Sequence, residues 1–161
     1  MQVERAPKAA EALLGTPSTA PAAVNKAKAK LQAEVKIHSM LRHQHVVYFS
    51  HFFEDANCYY MLLELCHNKS FSELMKRRKR LTEPEVQYYM SQILAALAYL
   101  HSINVIHRDL KPENVILSTS DDQTARLVII DFGLARKYGD PLKPYTPTVV
   151  TLWYRAPELL L

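Results

Sequence analysis

Apolar residues recur at helical spacing across residues 25–41. Leu31, Val35, Ile37 and Leu41 carry the pattern, with Lys28, Lys30, Glu34 and Lys36 among them. The period then shortens. Residues 46–53 and 58–65 are β-rich runs on either side of Glu54-Asp55-Ala56-Asn57, which predicts a hairpin. Ser70-Phe71-Ser72-Glu73 has capping-box spacing and predicts the start of a short helix. Thr82-Glu83-Pro84-Glu85 is a stronger start, with Thr at the cap, Pro near the first turn and Glu at the third helical position. The long helix it opens is expected to bury Val86, Met90, Ile93, Leu94, Leu97 and Leu100, and to end near His101-Ser102. Residues 115–117 and 125–130 predict a second hairpin around Ser120-Asp121-Asp122.

Residues 1–25 lack such a pattern. They are rich in Ala and Pro, with Pro7, Pro17 and Pro21 interrupting any long helix, so an irregular or disordered segment is expected, with short helical turns at most in residues 9–14. The length suits one domain or a little less, and an apolar content of 48% is that of a globular chain. Nothing repeats internally. The net charge of +4 is modest and much of it sits in Lys76-Arg77-Arg78-Lys79-Arg80. Such a run suits a nuclear-import or nucleic-acid patch. The favoured reading, because the run lies inside the domain, is a solvated helix end whose cations face the negative pole of the helix dipole, and it implies no nucleic-acid partner. Cys58 and Cys66 flank one predicted strand, which would hold them roughly 26 Å apart at about 3.3 Å per residue, too far to pair. That favours a reducing compartment, cytoplasmic or nuclear. No apolar run approaches the roughly 18 residues of a membrane span, and no signal peptide is evident, so no membrane partner is expected.

The chemistry concentrates in Val105-Ile106-His107-Arg108-Asp109-Leu110-Lys111-Pro112-Glu113-Asn114, followed by Val128-Ile129-Ile130-Asp131-Phe132-Gly133 and by Tyr154-Arg155-Ala156-Pro157-Glu158. In this order and at these separations, the three stretches resemble the catalytic loop, metal loop and activation-segment end of a eukaryotic Ser/Thr protein kinase. The resemblance runs from about Leu31 to the last residue. Asp109 or Asp131 alone would be an ordinary loop carboxylate. Together, in register with Arg108, Lys111 and Asn114, they point to phosphoryl transfer from ATP with Mg²⁺. Asp109 on a rigid loop suits a base that takes the acceptor hydroxyl proton. Lys111 can reach the transferred phosphate, and its place in the loop is the Ser/Thr rather than the Tyr pattern. Asn114 and Asp131 offer oxygen to the metal.

The front half resembles polo-like kinases, in Glu34-Val35-Lys36-Ile37-His38 and His43-Gln44-His45-Val46-Val47. By that resemblance Glu34 pairs with an ATP-anchoring lysine; a solvated Glu34 beside Lys30 or His38 fits the sequence as well. The resemblance also makes Leu63-Glu64-Leu65-Cys66 a hinge, with Leu63 as gatekeeper and the backbone of Glu64 and Cys66 facing an adenine edge. The back half resembles cyclin-dependent kinases. There Thr146 matches a regulatory phosphosite that Arg108 and Arg136 could grip. Val150, Thr151 and Arg155 match a surface selecting Ser/Thr-Pro sites in a protein substrate. The helix motif that engages a cyclin is lacking, which argues against a cyclin partner.

Two parts of the resemblance are missing. The only glycines are Gly15, Gly133 and Gly139, so no Gly-rich phosphate loop is present. Lys26, Lys28 and Lys30 lie too near Glu34 to anchor its partner strand, and Lys8 in Ala6-Pro7-Lys8-Ala9 does not look like part of one. The expected fold is α+β, an incomplete bilobal kinase-like domain over residues 26–161. It divides into a small-lobe remnant at 26–66 and part of a mainly helical large lobe at 67–161. Such a chain is a fragment, a mis-assembled gene product or a degenerate relative. It is expected to be weakly active or inactive alone; the competing expectation is a non-catalytic, pseudokinase-like binding module.

Overall fold

The structure, a computed structural model, describes residues 2–7, 20–55, 58–118, 125–139 and 152–157. It is α+β. Strand β1 (Gln2–Pro7) is followed by helix α1 (Ala20–His38) and by the strands β2 (Phe49–Glu54) and β3 (Cys58–Leu63). Helices α2 (Phe71–Arg78) and α3 (Glu83–Ser102) come next, then the short strands β4 (Val105–Ile106), β5 (Val115–Leu117), β6 (Leu127–Ile129) and β7 (Arg136–Lys137). The first three strands form an antiparallel sheet in the order β1-β3-β2, while β4 pairs with β7 and β5 with β6.

Both predicted strand pairs form, while residues 56–57 and 119–124, with the predicted turn Ser120-Asp121-Asp122, lie outside the described residues. The first is shorter than expected, because Val46 and Val47 leave β2 and pair instead with the distant β6. Val47 N donates to Ile129 O at 3.0 Å, and Ile129 N donates to His45 O at 2.9 Å. This link joins the front of the chain to its back. The main core follows it: Ile37, Leu41, Val46 and Val47 pack with Ala96, Leu100, Val105, Val128, Ile129 and Phe132.

The N-terminus departs from expectation. Part of the segment read as irregular is β1, paired along its length with β3 from Gln2↔Leu63 to Pro7↔Cys58. Its composition hides it, since Pro is rare in strands. At the end of an edge strand, however, Pro7 is tolerated, and β1 covers an edge of β3 that would otherwise be unpaired. Helix α1 likewise starts at Ala20, ahead of the expected boundary, because Pro21 falls in its first turn, where no intrahelical N–H is needed.

Helix α3 begins as predicted. The Glu85 carboxylate accepts from Thr82 N at 2.7 Å and from Thr82 Oγ1 at 2.9 Å. These bonds hold the Glu85 carboxyl below its usual range. Helix α2 forms without the reciprocal cap its sequence suggested: the Ser70 side chain makes no cap bond, and Glu73 pairs with Lys69 at 3.2 Å. The basic run ends α2, with Lys76, Arg77 and Arg78 in its last turn and Arg78 bonded to Glu85 at 2.7 Å. The buried face of α3 is only partly the one expected. Leu100 is buried as expected, but its buried companions are Tyr89, Gln92 and Ala96, whereas Val86, Met90 and Leu94 are 43%, 44% and 57% exposed. Ile93 and Leu97 are half-buried at the margins. Gln92 is inside because it bonds the backbone beside β6, accepting from Leu127 N at 2.8 Å. Among the described residues, no helix is long and apolar enough to cross a membrane.

Candidate functional site

The two short strand pairs hold two loops side by side. Pairing of β4 with β7, Ile106 opposite Arg136, closes one end, and pairing of β5 with β6, Val115 opposite Ile129, closes the other. Between them lie His107–Asn114 from one loop and Asp131–Ala135 from the other. A direct bond joins them, from Ile130 N to Asn114 O at 3.0 Å. Arg108 Nε adds a second tie, to Leu134 O at 2.6 Å. Both loops contain tight backbone turns: Arg108 and Asp131 have φ values of 66° and 62°, a conformation costly for residues with side chains. The strand pairs on either side over-determine these turns.

Asp109 is buried, and its carboxylate is held by two donors on one oxygen. Lys111 Nζ lies 2.8 Å from Oδ2 and Asn114 Nδ2 lies 3.0 Å from it. Asn114 Nδ2 also reaches Asp109 O at 2.9 Å. With its amide nitrogen so committed, Asn114 retains the amide oxygen for a cation. The bond to Asp109 raises the pKa of the Lys111 ammonium, so this lysine stays charged beside the carboxylate.

His107 supports the loop from beneath. Its Nε2 donates to Ile130 O at 2.9 Å, while its Nδ1 accepts from Asp109 N at 3.2 Å. That pair of partners requires the neutral ring, and burial lowers its basicity in the same sense. Phe132 packs edge-on against His107, with centroids 4.9 Å apart, and against His38 of α1 at the same separation. His38 in turn meets Phe49 at 5.4 Å and lies 3.0 Å from Val47 O through Nε2. A column of four rings therefore runs from β2 through α1 to the loop of Asp109.

Helix α1 also brings Glu34 to the second loop. A Cβ placed on Gly133 would lie 3.3 Å from Glu34 Oε2 and 3.2 Å from Asp131 Oδ1, so a side chain there would crowd both carboxylates. Asp131 is exposed, with Gly133 N donating to its Oδ1 at 3.2 Å. The donor set suits Mg²⁺. One carboxylate and one amide oxygen are hard ligands, and Mg²⁺ uses one or two carboxylates when phosphates complete its shell. Among the described residues, no group of three or more His, Cys, Asp or Glu forms a closed metal cage.

In the segment predicted as a hinge, Leu63 ends β3, partly buried against the main core together with Cys66. Glu64 N donates to Tyr48 O at 2.9 Å, so of this residue's backbone groups its carbonyl is the one that can meet an adenine edge. The Glu64 carboxylate accepts from Tyr48 N at 3.3 Å and pairs with Arg126. Burial, then the nearby Glu64 charge, pushes the Cys66 thiol up, and the two cysteines are free as expected. Arg136 is half-buried in β7 and Arg155 half-buried near the C-terminus. Thr146, Val150 and Thr151 lie outside the described residues.

Thus Asp109, Lys111, Asn114 and Asp131 lie along one pair of loops with Glu34 of α1 beside Gly133, and Leu63, Glu64 and Cys66 lie at and just past the end of β3. Sequence reasoning missed Arg126, which looks like a surface cation between two apolar runs. It also missed the supporting part of His107, although that residue stands inside the motif. Among the described residues, no strand of the three-stranded sheet carries a lysine. β3 lies between β2 and β1, β1 has the sequence Gln2-Val3-Glu4-Arg5-Ala6-Pro7, and Lys8 lies beyond it, outside the described residues.

The family model for the protein kinase domain matches residues 19–161, a span that excludes β1. The chain is 48% identical over 136 residues to the Zea mays protein named "Probable serine/threonine-protein kinase CCRP1", covering 84% of this chain and 21% of that protein. It is 42% identical over 132 residues to the serine/threonine-protein kinase PLK2 of Mus musculus, covering 81% of this chain and 19% of that one. It is 43% identical over 136 residues to the cell cycle serine/threonine-protein kinase CDC5/MSD2 of Saccharomyces cerevisiae, covering 84% and 19%. The chain thus spans about a fifth of the length of these relatives. That family generally uses ATP and Mg²⁺ and acts on proteins. With its two loops tied side by side and its profile matched from residue 19 to the end, the chain belongs to the protein kinase family, among the serine/threonine kinases.

Proposed function

We propose that this chain carries the phosphoryl-transfer half of a Ser/Thr protein kinase acting on protein hydroxyls with Mg·ATP. The observation that carries the reading is the shared Asp109–Lys111–Asn114 cluster, tied through the Asn114 O to Ile130 N bond to the turn bearing Asp131. In this reading Asp109 accepts the proton of the acceptor hydroxyl as its oxygen attacks. Lys111 and Asn114 fix the carboxylate's direction, so little reorganisation remains for the reacting step. Asp131 and the Asn114 amide oxygen hold Mg²⁺, which when bound neutralises charge on the phosphates. Leu63 backs the adenine, with the Glu64 carbonyl and the Cys66 backbone on its edge.

The finer parts of the reading are proposals on sequence grounds. A small-lobe part at 26–66 and a large-lobe part at 67–161 divide the work. Thr146 is a phosphosite gripped by Arg108 and Arg136, and Val150, Thr151 and Arg155 favour Ser/Thr-Pro substrates. No cyclin is required, and the setting is cytoplasmic or nuclear. The test of the central roles compares Asp131→Asn with Asp109→Asn in Mg·ADP binding. Asp131→Asn is expected to abolish the Mg²⁺-dependent part, whereas Asp109→Asn leaves affinity within about threefold, since Asp109 faces the acceptor rather than the metal. Equal losses would overturn the assignment of roles.

A further inference from the structure

Arg126 stands just before β6, in the half of the chain that carries the catalytic loops. Its guanidinium nevertheless reaches the front half. Nη1 donates to Gln44 O and Nη2 to Glu64 Oε1. Glu64 is the first residue past β3, and the other oxygen of its carboxylate accepts from Tyr48 N at 3.3 Å. Glu64 N itself donates to Tyr48 O at 2.9 Å. The hinge residue is thus tethered on three sides, and Arg126 provides the one tether that comes from the large-lobe half. The strand that starts beside Arg126 runs directly to Asp131, and Gln92 of α3 fixes that strand at Leu127 N.

We propose that Arg126 is a positioning residue for the adenine end of the nucleotide site, a latch that fixes the Glu64 carbonyl relative to the strand delivering Asp131. The proposal rests on the nucleotide-site reading above. A planar guanidinium with two separate acceptors sets direction as well as distance, which a lysine ammonium would not. The metal end has its own ties, through Asn114 and the β5–β6 pairing, and does not depend on Arg126. Loss of the latch should therefore loosen recognition of the purine and spare recognition of the phosphates.

The experiment uses the full 161-residue chain. Adenosine and Mg·tripolyphosphate, each half of a nucleotide, are titrated separately into the native chain, Arg126→Met and Glu64→Gln. Arg126→Met keeps an apolar stem of similar reach. Amide hydrogen exchange at Glu64, Leu65 and Cys66 is followed alongside. The expected result is adenosine binding weakened about three- to tenfold in both variants, the size of a partly exposed charge pair. Tripolyphosphate binding should stay within about twofold, and hinge exchange should quicken. The double variant should lose little more than either single one, because both changes break one contact. Unchanged adenosine binding in both single variants, with the native chain binding both probes, would overturn the latch and leave the nucleotide-site reading standing. Equal loss of both probes would mean a general loss of structure and would also overturn it. A native chain that binds neither probe would bring down the nucleotide-site reading together with the latch.

Discussion

His38 and His107 are the residues on which the site's pH response turns. They flank Phe132, and burial lowers the basicity of both rings. Val47 O, Arg42 and His107 face His38; Ile130 O, Asp131, Asp109 and Lys111 face His107. Backbone acceptors and carboxylates pull the other way, but burial is the larger effect. In the unfolded chain each ring titrates near its ordinary value of 6.5. The folded chain resists protonation to lower pH, so below that value the unfolded state binds more protons and stability falls. Above it the contribution is fully present. The melting temperature should therefore drop between about pH 7.5 and about pH 5.5, and the drop should be shallower in His38→Gln/His107→Gln, even if that variant melts lower throughout. Parallel slopes in native and variant chains would sink the idea. Protonation of His107 also removes the acceptor for Asp109 N, so the loop of Asp109 should loosen over the same range. Residues such as Asp109 and Asp131 were legible because a motif names them. The neutral ring that supports them was not, because its function depends on a bond to Ile130 O across the fold.

Helix α3 shows how far periodicity carries and where it stops. Its existence, start and length were plain from Thr82, Pro84, Glu85 and the apolar spacing. Its buried face was not, because apolar residues occur nearly all round it. Size and polarity misled: small Ala96 and polar Gln92 lie inside, while Leu94 is 57% exposed. Ala96 permits close approach to the main core, and Gln92 satisfies backbone groups beside β6 that no apolar residue could. Two substitutions separate the faces. Leu94→Gln should change stability by less than about 0.5 kcal/mol in this chain, as at other exposed positions. Ala96→Leu should cost about 1–3 kcal/mol by overpacking, and Gln92→Leu a similar amount by leaving Leu127 N without its acceptor. Denaturant titration of the three variants decides it; a Leu94→Gln loss as large as that of Ala96→Leu would mean the exposed stripe is covered in solution.

At the scale of the whole molecule, the catalytic loops and the sheet above them are unequally equipped. The loops hold Asp109, Lys111 and Asn114 in mutual contact, with Asp131 one residue past the Ile130 N to Asn114 O bond. The sheet supplies a strand beside β3, which the sequence did not reveal, yet that strand has no lysine. A kinase anchors its phosphates with a strand ammonium paired to a helix glutamate, the role the sequence resemblance implies for Glu34. Nor does the sequence hold a Gly-rich loop, its glycines being Gly15, Gly133 and Gly139. Each such donor is commonly worth about 10²–10³ in rate, so phosphate transfer by this chain alone should not rise above an Asp109→Asn control. The measurement is phosphate transfer to a basic protein and to a Ser-Pro peptide by the native chain, set against Asp109→Asn. Native turnover clearly above that control would show that another cation holds the phosphates.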